Sequence, residues 1–128
     1  MSAIDKVKTL LSGKISDTKK KLSVYVNDQN VTELDCIRLF YNNENSRVSV
    51  TQSNAPYYST GVQVAVRHSD YNLARDCSFK ALEYINGNRK TEAGYWWIPD
   101  AQSVPLYAGV DAIGGYVWTF NIKSKGGA

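Results

Sequence analysis

Few residues of this chain have the type and spacing that catalysis requires. Its single histidine, His68, closes a predicted strand, a position that suits a structural role better than general-base catalysis. The scattered aspartates are Asp70, Asp76, Asp100 and Asp111, and three of them stand where helix caps and turns favour Asp. One histidine without a cysteine cluster does not make a zinc site, and no nucleophile-elbow, Walker A or dinucleotide-binding motif occurs. The sequence therefore predicts no catalytic residues, no metal and no cofactor, and so a protein that is not an enzyme.

The two cysteines, Cys36 and Cys77, are far apart in the chain and form no CxxC motif. Two thiols are too few for a disulfide scaffold. We therefore expect both to be buried free thiols in a reducing compartment, although a bridge between them is the alternative.

Two aromatic pairs are more informative than the titratable residues. Tyr57-Tyr58 lies in a polar segment, and Trp96-Trp97 lies in a short strand-like run. Adjacent residues of a strand point to opposite faces, so one Trp can join the core while its neighbour faces outwards. The domain's own elements could cover both pairs, but Trp and Tyr are also the usual anchors of protein interfaces. The candidate interface residues are Val48, Val50, Tyr57, Tyr58, Arg67, Trp96 and Trp97.

Length and composition define the class of protein that must position these residues. The chain has 128 residues, 43% of them hydrophobic, which is enough for one domain with a buried core. We expect no membrane span and no secretory signal, because no apolar run is long enough for either. The net charge of +3 is uneven, since residues 1–22 hold six Lys and two Asp. The three consecutive lysines at 19–21 are typical of a solvated loop, and the alternative is that they contact phosphate or an acidic partner.

The hydrophobic periodicity predicts one α+β domain over residues 1–128. It has a mainly antiparallel sheet, a short N-terminal helix and one longer helix packed on one face. The longer helix follows a Ser69 cap and ends at Asn86-Gly87, and it should pack on the valine face of the strand 61–68. Residues 42–59 are predicted to form an extended arm or long hairpin, and residues 123–128 a frayed tail. The predicted helices are 3–12 and 70–86, and the predicted strands are 22–26, 36–41, 61–68, 95–98, 105–108 and 116–122.

Several segments together carry a resemblance to a known family. They are GVQVAVRHSDYNLARDCSFKALEYING, GYWWIP, and a Gly-Val-Asp…Gly-Gly turn that leads into YVWTFNI. In this order and spacing, roughly residues 55–123 resemble a family of small siphophage proteins known as tail terminators, tail completion proteins or minor capsid proteins.

The resemblance implies a structural virion protein with no cofactor and no catalytic residues. Its subunits would form a ring, typically a hexamer, that caps the head-proximal end of the tail tube and stops polymerisation. Its partners would be further copies of itself, the tail tube protein and the head completion or connector protein, with DNA only as passing cargo and no membrane. It would be assembled in the host bacterial cytoplasm. A ring also requires two different complementary patches on each subunit.

Two other functions stay open at this point. One is another head–tail connector or minor capsid role in the same particle. The other is a small nucleic-acid-binding β-domain that uses the lysines of 19–21 and those near the C-terminus, for which a steep loss of DNA affinity with salt would be diagnostic.

Overall fold

Two helices and seven strands make up the described part of the computed structural model, which covers residues 3–27, 31–41, 46–48, 57–87, 96–99 and 104–127. This composition and order confirm the predicted α+β class. The elements are α1 Ala3–Leu11, β1 Ser23–Val26, β2 Cys36–Tyr41, β3 Ser46–Val48, β4 Tyr57–His68, α2 Tyr71–Gly87, β5 Trp96–Pro99, β6 Leu106–Val110 and β7 Tyr116–Gly127.

The described strands form one sheet in the order β1-β2-β4-β7-β5, with β3 beside β4 and β6 beside β7. Only β1 and β2 pair in parallel; each of the other described pairs is antiparallel. The longest ladder joins β4 to β7 and runs from the Tyr57–Gly127 pair to the His68–Tyr116 pair. The sheet is therefore mainly antiparallel, as predicted, with β4 and β7 at its centre.

The core lies between one face of this sheet and both helices. Val62, Val64 and Val66 alternate along β4 and are each 0% exposed. They belong to the same buried cluster as residues from α1, namely Ile4, Val7 and Leu11, and residues from α2, namely Cys77, Ala81 and Ile85. The small residues of α2 let the helix approach the sheet closely, so the prediction that it packs on the valine face is confirmed. We call the opposite side of the sheet, which carries Arg38, Ala65 and Arg67, the helix-free face.

The helix ends follow standard capping chemistry with one difference from the prediction. Gly13, at φ 72°, follows α1 in the left-handed conformation that suits a helix C-terminus. At the start of α2, Asp70 Oδ1 accepts hydrogen bonds from the amides of Asn72 and Leu73. The prediction of a Ser69 cap is therefore wrong, and Asp70 is the cap. Within the described residues, neither helix is both long and apolar enough to cross a bilayer.

The last strand is longer than the sequence predicts. The backbone of Lys123–Gly127 continues β7, pairing with β4 on one side and, as far as Lys125, with β5 on the other. The prediction of a frayed tail is therefore wrong as far as Gly127. A tail without apolar residues can join a sheet because main-chain hydrogen bonds, which do not depend on the side chain, hold it there.

The predicted arm contains part of a long hairpin. Ser46–Val48 pairs antiparallel with Tyr57–Ser59, which extends β4 beyond the predicted strand 61–68. Residues 42–45 and 49–56 lie outside the described residues.

Candidate interaction surfaces

Arg67 is buried on the helix-free face, where it is 2% exposed. Its Nε donates to the carbonyl oxygen of Leu34 at 3.1 Å, and its Nη2 donates to the carbonyl oxygens of Val31 and Glu33 at 2.8 and 2.5 Å. Its Nη1 donates to Asp111 Oδ2 at 2.8 Å. We call Arg67 with these four partners the Arg67 clasp. Because all three guanidinium nitrogens donate within the subunit, the side chain is not available to the interface for which the sequence suggested it.

The clasp explains how β1 and β2 can be parallel neighbours. Their connection, residues 27–35, is shorter than parallel strands usually need. The Arg67 guanidinium holds the carbonyl groups of this connection on the helix-free face. The turn 111–115 also contacts the guanidinium, through the carboxylate of Asp111. Gly115 is needed for this contact, since a Cβ at that position would lie 2.5 Å from Arg67 Cγ.

The charge of Arg67 also acts on the carboxyl group of Asp111. Burial alone would raise the pKa of Asp111, but the hydrogen bond from Arg67 and the amides of Gly115 and Ile113 outweigh it. The pKa of Asp111 is therefore lowered, and the buried guanidinium faces an ionised partner at neutral pH.

His68 is the centre of a second polar cluster, at the end of β4. The Asp70 amide donates to His68 Nδ1 at 2.9 Å, so Nε2 carries the proton that bonds to Asp17 Oδ2 at 2.8 Å. Asp35 Oδ1 lies 3.5 Å from Nδ1 and accepts a hydrogen bond from the Ser69 amide. The two carboxylates and the imidazole are close enough together to hold a cation. Both ring nitrogens already have protein partners, however, and the cluster's evident role is to tie the turn at 17–20 to the start of α2.

Asp17 also orders the lysine run. Its Oδ1 accepts hydrogen bonds from the amides of Lys19 and Lys20, each at 2.7 Å. The His68 hydrogen bond and then these two amide bonds lower the pKa of Asp17 from 3.8 to about 2. The Lys20 ammonium lies 3.5 Å from Asp35 and is half exposed. The run is thus a capped turn with solvent-facing side chains.

Both cysteines are buried and free, as predicted. Cys36 lies on β2 and Cys77 on α2, and burial raises the pKa of both thiols. Neither is poised for nucleophilic chemistry, which requires a thiolate.

The most prominent exposed apolar surface surrounds β6. The exposed fractions are 54% for Val104, 62% for Leu106, 43% for Tyr107, 57% for Val110 and 47% for Ile113. We call these five residues the β6 surface. The segment 101–110 contains no charged residue. The sequence predicts a short extended piece here, but its periodicity gives no sign that the strand lies at an exposed edge.

An aromatic cluster supports the β6 surface from the helix side. The ring of Tyr71, at the start of α2, lies edge-on to those of Tyr107, Tyr116 and Trp118, with centroids 5.2, 5.7 and 5.6 Å away. Such edge-to-face contacts hold the rings in fixed orientations. These contacts hold Tyr107 on the helix side of the sheet, whereas Leu106 pairs with Thr119 and lies on the helix-free face.

A recess of about 610 Å³ lies on the helix-free face, lined by Asn27, Arg38, Phe40, Tyr41 and Gln63. Arg38 Nε is buried here without a hydrogen-bond partner. Its guanidinium carbon lies 5.7 Å from the centre of the Phe40 ring. The Nη2 atom of the same guanidinium lies 3.8 Å from Asp111 Oδ2.

The strand register brings most of the predicted interface residues to one end of the sheet. Val48 on β3 pairs with Tyr57 on β4, which pairs with Gly127 on β7. On the far side of β7, Trp96 of β5 pairs with Lys125. Tyr58 and Trp97 are the next residues of the same strands, whereas Val50 lies outside the described residues. The β6 surface lies at the opposite end of β7, so the two candidate regions are separate.

Comparison with models of known protein families finds no match for this chain, and a search among curated proteins finds no relative.

Proposed function

We propose that this protein is a structural component of a phage virion. Its subunits form a hexameric ring that caps the head-proximal end of the tail tube. The ring stops tail polymerisation and provides the surface for joining the head. The observation that carries the proposal is the β6 surface, five exposed apolar side chains on and around one strand, because exposed apolar surface of this kind marks sites of protein association.

The positions of the family-like segments in the fold support the proposal. Residues 61–87 form most of β4, the Asp70 cap and the whole of α2. The Gly-Gly turn and the final aromatic segment form the turn before β7 and β7 itself. The segments that resemble tail terminators thus include the two central strands, β4 and β7, together with the helix α2 and the strand β5 at the end of the sheet.

The separation of the two candidate regions also supports an assembly role. A ring subunit must contact two neighbours through different patches and must also bind the tube and the head connector. The β6 surface and the end of the sheet that carries Tyr57 and Trp96 lie at opposite ends of β7. A subunit with this layout can bind several partners at once.

The polar clusters fit a structural protein better than an enzyme. Arg67 and His68, two polar residues buried in the subunit, are both fully engaged in holding loops to the sheet. Arg38 is also held within the subunit, since its Nη2 lies 3.8 Å from Asp111 Oδ2.

The experiment is a knockout of this gene in the phage that encodes it, with the lysate examined by electron microscopy. We expect full heads without attached tails, and tails of abnormal and uncontrolled length. Purified protein should bind the ends of tail tubes and restore joining. Normal tails and normal joining in the knockout would contradict the proposal, and loss of heads would indicate a capsid or connector role instead.

A further inference from the structure

We propose that neighbouring copies of this chain join edge to edge, with β6 of one copy antiparallel to β1 of the next. The inference rests on the ring function proposed above and identifies the contact that would build the ring. Its starting point is that, within the described residues, β1 has a strand partner only in β2, and β6 only in β7. Among the described strands, the sheet therefore has unlike strands, β1 and β6, on its two sides, each with one strand partner.

The directions of the strands make these two edges compatible. β1 is parallel to β2, β2 is antiparallel to β4, β4 to β7, and β7 to β6. β1 and β6 therefore run in opposite directions within one subunit. A second copy related by rotation about an axis along the strands keeps these directions, so its β1 would meet β6 of the first copy as an antiparallel partner.

Pairing between unlike edges is what a closed ring requires. A contact of β6 with β1 of the next copy leaves a free β1 and a free β6 at the two ends, so copies can be added until the rotation closes. A contact of β6 with a second β6 would use the same edge twice and end at a dimer.

The chemistry of β6 also favours a strand-to-strand contact. Edge strands are usually protected by charged residues, above all Lys, yet the segment 101–110 has no charged residue. Two features limit the length of the contact: Pro105 precedes the strand without an N–H group, and a bulge lies between Tyr107 and Gly109. The contact is therefore short, and the exposed side chains Leu106 and Val110 must contribute to it.

The register across the sheet shows which side chains would meet. Leu106 pairs with Thr119, Thr119 with Ala65, Ala65 with Arg38, and Arg38 with Tyr25. This row crosses the whole sheet on the helix-free face. Leu106 at one edge and Tyr25 at the other thus lie on the same face, and they stay on the same face when the next copy continues the sheet.

Cysteine cross-linking tests the contact directly. Directly opposite residues of antiparallel strands have Cα atoms about 4.5–5.5 Å apart, within the range of a disulfide. We would combine Leu106→Cys with either Ser23→Cys or Tyr25→Cys, two positions of β1 on the same face, and oxidise the protein mildly. At least one double variant should give a ladder of covalent oligomers on a non-reducing gel, while each single variant stays monomeric. A dimer from Leu106→Cys alone would overturn the proposal in favour of paired β6 strands.

A charge at the same position gives an independent test. Leu106→Lys should abolish the ring in native mass measurements while leaving the thermal midpoint of the subunit unchanged, because the side chain is 62% exposed. Phe79→Lys is the matched control, since Phe79 is also exposed, at 40%, but lies on α2. It should keep the ring.

The outcomes separate this inference from the proposed function. A wild-type protein that forms no ring alone or on tail tubes would refute the ring function itself. If the wild-type protein forms a ring but neither double cysteine variant gives a cross-linked ladder, only the edge-to-edge contact is overturned. The same holds if the Leu106→Lys variant still forms a ring.

Discussion

Replacing Arg67 with methionine should destabilise the subunit by about 3–5 kcal/mol, the usual effect of removing one partner from a buried ion pair. The variant would leave the Asp111 carboxylate without its guanidinium, at a site where the two side chains are 3% and 20% exposed. It would also remove the hydrogen bonds that Arg67 donates to the carbonyl groups of Val31, Glu33 and Leu34. Two unit charges about 4 Å apart attract by about 4 kcal/mol at an effective dielectric constant of about 20. The individual losses are not additive, so we expect a total within the stated range.

Urea unfolding followed by circular dichroism measures this effect, and Arg75→Met is its control. Arg75 lies on α2, is 44% exposed and has Asp76 at 3.4 Å. An exposed pair of this kind contributes little, so the control should change the free energy of unfolding by less than about 0.5 kcal/mol. If Arg67→Met and Arg75→Met have equal small effects, the Arg67 clasp does not hold the connection between β1 and β2.

Three further substitutions test other parts of the fold. Gly115→Ala should cost about 1–3 kcal/mol in urea unfolding, because its Cβ would displace the Arg67 side chain; an unchanged midpoint would contradict the close contact. Asp17 has a folded-state pKa of about 2 against an ordinary value of 3.8, so its contribution to stability is present above about pH 4 and is lost as the pH falls towards 2. Asp17→Asn should flatten this part of the acid-unfolding profile, and a profile identical to wild type would refute the assignment. Val64→Asp would bury an unpaired charge and should unfold the subunit, as measured by circular dichroism, whereas normal thermal stability would mean that the valine face is not the core.

The spacing of apolar residues predicted those strands and helices in which buried side chains recur at regular intervals along the sequence. The strand 36–41 has its predicted bounds, because its apolar residues lie on both faces of the sheet. Ile37 and Leu39 are buried towards the helices, whereas Phe40 lines the recess on the helix-free face. The longer helix was predicted to within a residue at each end, since Ala74, Ala81 and Ile85 recur at helical spacing. In each case the signal came from neighbours in the sequence.

The parts that the sequence did not predict depend on contacts between distant residues. Arg67 lies on β4 and Asp111 lies in the turn before β7, so no local sequence pattern relates the two residues. The exposure of β6 depends on the order of strands in the sheet, which the spacing of apolar residues does not encode. Lys123–Gly127 joins the sheet through its main chain, so its side chains carry no strand signal.

The place of β7 in the chain has a consequence for synthesis. It is the last of the described elements, yet it supplies Phe120 and Ile122 to the core and is the described strand partner of β6. While a ribosome is still making residues 116–122, β4 lacks its longest neighbour and β6 has no strand to pair with. The sheet therefore closes only after nearly all of the described chain has been made, through contacts between distant residues that form slowly. Translation that stops before residue 116 would leave β6 without its described strand partner, so the fragment would lack the edge through which we propose that copies join.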